Sequence, residues 1–104
     1  MAWFWLLFAG LLEIVWAFSM KLSDGFTRGL PAAVTIVAMI LSFGLLSIAM
    51  KSLPLGTAYV IWTGIGAVGT FGIGVVYLGE SLSLARITAA ALIVAGMALL
   101  KLSS

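Results

Sequence analysis

The sequence predicts an all-α integral membrane protein with four transmembrane helices, and three observations carry that prediction. Of its 104 residues 64% are hydrophobic and 8% charged, which leaves a chain this small without the polar surface a soluble core needs around it. The apolar runs are close to the roughly 20 residues that a helix needs to cross about 30 Å of hydrocarbon. They also lack the strict alternation of a membrane strand, and so few strands would not close a barrel.

The first span is read over residues 2–20 and ends at the polar stretch KLSDGFTRG, which carries Lys21, Asp24, Gly25 and Arg28. Glu13 interrupts its apolar run and no basic segment precedes it, so a membrane helix is expected rather than a cleaved signal peptide. The second span covers 30–50, with Pro31 in its first turn, where a missing N–H costs nothing. KSLPLG, Lys51 to Gly56, turns the chain around into a third span over 55–78. GESLSLAR, Gly79 to Arg86, leads into the fourth, over 83–100, closed by Lys101. All four form one domain, 1–104.

Composition excludes several function classes. Without cysteine or histidine there is no disulfide framework and no transition-metal site to expect. Five bases scattered among the loops and helix ends, for a net charge of +2, form no nucleic-acid patch. A lone intramembrane acid with no paired base, nucleophile or cofactor motif argues against an enzyme. Placement of charge says more than its total. Lys51 and Lys101 fall on one side of the membrane and Lys21, Arg28 and Arg86 on the other, so the positive-inside rule has almost nothing to act on. Either a weak preference fixes one orientation or the chain inserts both ways and opposed copies pair. The second is favoured, because four short helices enclose little interior and transporters are commonly built from inverted halves.

Glu13 is the residue that asks for a function. A charge near the bilayer centre costs on the order of 2.5 kcal/mol or more, and no lysine or arginine lies at comparable depth to offset it. A carboxyl that stays protonated against a neighbouring helix is the bland reading. In the functional one the missing positive partner arrives as a proton or a cationic ligand. Gly10 and Trp16 stand three residues either side of Glu13 and share its face. The glycine opens space there, and the indole offers an N–H donor and a cation-attracting ring. Tyr59 and Trp62 repeat that spacing on the third span, as do Met39 and Ser42 on the second, with the Ser42 hydroxyl a candidate donor to the carboxylate. Trp3, Trp5 and Tyr77 are read as interfacial belt residues.

The third span also carries TGIGAVGTFGIG. Glycines at this density mark either close helix packing or a flexible segment around Gly64 and Gly66 that lets the binding face swing. On the fourth span a heptad step of small residues from Ala89 to Gly96 suits pairing with the same helix of a second copy.

The length, the four spans, Glu13 in the first, KLSDGFTR after it and LPLGTAYVIWTGIGAVGT in the third resemble the small multidrug resistance family of proton-coupled exporters, over essentially the whole chain. The pair Trp16 and Ala17 is similar to the guanidinium-exporting branch, whereas the quaternary-ammonium branch usually has a small residue in place of the tryptophan. The resemblance implies an antiparallel, dual-topology homodimer in the inner (plasma) membrane, whose two copies of Glu13 alternately hold protons and a cation. It implies that Trp16, Ser42, Tyr59 and Trp62 line the pocket and that Gly10 and Met39 border it. No cofactor is expected, since the proton gradient supplies the energy. A broad exporter of quaternary ammonium and other drug cations is the alternative within the family. A transporter that needs a different partner chain would show a stronger loop-charge bias, and a non-transporting assembly subunit would need no titratable group at mid-span.

The implied chemistry is physically coherent. Hydrocarbon surroundings disfavour an ionised carboxyl, so one acid can hold a proton or a cation, each weakening the hold on the other. Competition becomes exchange if the dimer opens to one side at a time. Guanidinium suits such a site because its planar N–H fork matches the two carboxylate oxygens and its faces lie against aromatic rings, while a quaternary ammonium has no N–H to offer.

Overall fold

The computed structural model describes residues 2–103. They form the helices α1 (Ala2–Leu22), α2 (Gly29–Ala49), α3 (Leu55–Tyr77) and α4 (Leu84–Leu102), each long and apolar enough to cross a membrane. Helix α1 runs past Met20 because Lys21 is tolerated in a last turn, where its charge complements the unpaired carbonyls. Helix α4 starts at Leu84 because the Ser83 hydroxyl caps it, accepting the Arg86 N–H at 3.2 Å. Between α1 and α2 the chain reverses through Asp24, Gly25 and Phe26, all at positive φ. The buried Ser23 hydroxyl holds that turn, donating to the Met20 carbonyl at 2.7 Å and accepting the Phe26 N–H at 3.1 Å.

The helices pack side by side in the order α2, α1, α3, α4, as a slab of 41 × 34 × 16 Å. Its thin dimension is little more than one helix diameter of about 10–12 Å. The core lies towards the start of α1 and α3 and the end of α2, where Leu6, Ala9, Leu46, Ala49, Ala58, Ile61 and Trp62 are buried together. Small residues make the close approaches. A Cβ on Gly10 would strike Ile65, one on Gly69 would strike Ile14, and one on Gly64 would strike Met97, so bare backbone lets α1 and α4 settle onto α3. Helix α4 has no buried residue. It lies along α3 and meets α1 where Lys101 reaches the Trp3 ring.

Candidate functional site

The membrane-depth polar groups converge where α1, α2 and α3 meet. Ser42 of α2 is fully buried. Its hydroxyl donates to the Ala9 carbonyl of α1 at 2.7 Å and accepts the Trp62 indole N–H of α3 at 3.0 Å, so one side chain ties three helices together. Around this node the rings form a chain. Trp16 meets Phe43 edge-on at 6.4 Å between centroids, Phe43 meets Trp62 at 5.7 Å, and Trp62 meets Tyr59 at 5.7 Å. Trp62 is 7% exposed whereas Tyr59 is 52% exposed, so the chain runs from the interior to an open face of the slab.

Glu13 stands about one helical turn beyond Ala9 on α1. Its carboxyl lies against Gly66 of α3, in space that a Cβ at that position would take. Two buried side-chain polar atoms among the described residues have no hydrogen-bond partner, Glu13 Oε1 and Trp16 Nε1. An unpaired polar group in apolar surroundings costs about 1–3 kcal/mol. Here an acceptor with no donor and a donor with no acceptor sit three residues apart on one helix, beside aromatic rings. That arrangement has the chemistry to hold a small cation with N–H groups, or a proton.

The structure brings Glu13, Trp16, Ser42, Tyr59 and Trp62 into one region, and differs from expectation in its wiring. The Ser42 hydroxyl does not donate to Glu13, because α2 packs close enough to α1 for the Ala9 carbonyl, a turn away, to take its proton. Nor does the Trp16 indole orient the carboxylate, since its N–H is unpaired. The room left by Gly10 is filled by Ile65, and Met39 is half-buried on α2. Helix α3 continues unbroken through Gly64 and Gly66, which receive Met97 and Glu13. Ala89 and Gly96 are exposed on α4. Sequence reasoning missed Phe43, whose ring joins Trp16 to Trp62; its one signal was its place next to Ser42. It also missed Gly66 as the seat of the carboxyl.

A family model described as Small Multidrug Resistance protein matches residues 1–93. The chain belongs to that family. It is therefore a multi-pass membrane protein of a transporter family. Among its curated relatives is a protein named Guanidinium exporter from Yersinia pseudotuberculosis serotype I, 60% identical over 104 residues, the whole of both chains. Proteins of the same name from Salmonella typhimurium strain LT2 and from Citrobacter freundii are 58% and 57% identical, over 100% of this chain and 99% of theirs.

Proposed function

We propose that this small multidrug resistance protein is a proton-coupled antiporter of the inner membrane that exports guanidinium and small substituted guanidinium cations. The observation that carries the reading is the buried, unpartnered Oε1 of Glu13 with the unpaired Trp16 N–H one turn away. The name borne by relatives about 60% identical over their full length supports the choice of cargo. So does the chain of rings, against which a planar cation can lie.

The functional unit is an antiparallel homodimer. A slab 16 Å thick with Tyr59 on its surface cannot close around a cation by itself, and a second copy laid on that face completes the enclosure. The near-equal loop charges allow both orientations, and the bare face of α4 bearing Ala89 and Gly96 supplies the pairing surface. A proton on Glu13 cancels the charge that holds the cation, so loading one expels the other. In an antiparallel pair the inward-open and outward-open states are one structure with the copies exchanged, which leaves neither favoured. Helix α3 swings about Gly64 and Gly66, carrying Tyr59 and Trp62 with it.

Purified protein in vesicles, given an imposed pH difference, tests this. Proton-driven guanidinium transport is expected, with little transport of a bulky aromatic ammonium and none of either by Glu13→Gln. Proton-driven guanidinium transport by Glu13→Gln overturns the shared site, and a preference for the bulky cation overturns the cargo.

A further inference from the structure

Away from the site, α1, α3 and α4 enclose an open apolar groove of about 550 Å³, lined among others by Trp3, Leu7, Ile61, Ile65 and Val94, with Lys101 at its end. From Lys101 to Val94 it descends α4 by about 10 Å, most of the roughly 15 Å depth of one leaflet. On α3, Ile61 lies two residues beyond Tyr59, about 200° around the axis, so the groove opens on the side away from the exposed Tyr59. A second copy laid on the Tyr59 face leaves the groove turned to lipid, and in this respect the inference rests on the function proposed above.

We propose that this groove is a binding site for an anionic phospholipid, one acyl chain lying along Ile61, Ile65 and Val94 and the headgroup phosphate held by Lys101. Charge complementarity selects the occupant. The Lys101 ammonium is held over the Trp3 indole, 5.2 Å from the ring centroid, at the level where an amphipathic ring marks the headgroup boundary. Lys51, in the turn before α3, lies on the same side of the membrane, while Asp24 and Glu80 lie in the loops on the other. Among the described residues no carboxylate pairs with Lys101. The walls are otherwise apolar, as an acyl chain requires and a soluble anion does not.

Native mass spectrometry of protein offered equimolar phosphatidylglycerol and phosphatidylcholine with identical chains tests the site. One lysine near an anionic headgroup is worth roughly a fivefold preference for phosphatidylglycerol. The wild type is expected to show that preference and Lys101→Gln to lose it. Ala98 lines the groove from α4, and Ala98→Phe, which fills it, is expected to retain less of both lipids. Equal retention by the wild type, or a preference that survives Lys101→Gln, overturns the proposal. So does an intermolecular crosslink from a photoreactive side chain placed at position 98 in membranes, which would show a second chain in the groove. Transport-dead Glu13→Gln is expected to keep the lipid preference, so failure of the lipid site and failure of the transport reading are seen separately.

Discussion

The Glu13 carboxyl rests on Gly66, across the contact between α1 and α3, in the space where any other residue would place its Cβ. The group that meets that Cβ is the far end of a flexible side chain, so Gly66→Ala is relieved by moving the carboxyl rather than by parting the helices. Alanine also favours the helix by up to about 1 kcal/mol over glycine. Stability is therefore expected to stay within about 1 kcal/mol of wild type in a denaturing-detergent titration. Guanidinium-evoked currents on a supported membrane are expected to fall at least about tenfold, because a displaced ligating group forfeits most of its alignment.

Ser42 has the opposite character, since its hydroxyl is spent on structure. Ser42→Ala removes the hydrogen bond to the Ala9 carbonyl, which keeps its place in the α1 backbone ladder, and leaves the Trp62 N–H without a partner. Interhelical hydrogen bonds in membranes average about 0.6 kcal/mol, and a buried group left unpaired costs about 1–3 kcal/mol. A loss of roughly 0.5–2 kcal/mol is expected in the same titration. Trp62, released from its anchor, is expected to shift in emission, and guanidinium binding to weaken with it.

Phe43 tests whether the aromatic chain acts as a unit. Its ring is the link between Trp16 and Trp62, and aromatic pairs are worth about 0.5–1.5 kcal/mol beyond their buried area. Phe43→Leu keeps apolar volume and removes the ring faces. Guanidinium affinity, measured by calorimetry, is expected to drop roughly two- to tenfold, with proton coupling preserved because Glu13 is untouched.

The four helices were legible because polar interruptions at Lys21–Gly29, Lys51–Gly56 and Gly79–Arg86 divide the apolar sequence at intervals set by bilayer thickness. Glu13 was legible because nothing within the chain balances its cost at that depth. The wiring of Ser42 was not, since periodicity tells which face a hydroxyl occupies but not which of two acceptors a helical turn apart it reaches. Gly66 was hidden among the glycines of TGIGAVGTFGIG. Only the lateral fit of α1 against α3 decides that this glycine receives the carboxyl while Gly64 receives Met97.

The dependence on pH has a definite sign. In the proposed shared site a deprotonated Glu13 attracts the cation and a protonated one does not, so each cation bound at low pH must displace a proton. Guanidinium affinity is therefore expected to be level in alkaline buffer and to fall as the pH drops through the titration of Glu13, approaching about tenfold per pH unit for one proton exchanged. The competition runs both ways, so saturating guanidinium is expected to release protons from the protein into weakly buffered solution over the same pH range in which its affinity falls. Binding followed by tryptophan fluorescence over a pH series, with proton release followed in parallel, checks both halves. An affinity that does not change from weakly acid to alkaline buffer would show that cation and proton occupy separate groups. The unpaired Oε1 of Glu13 would then need another partner.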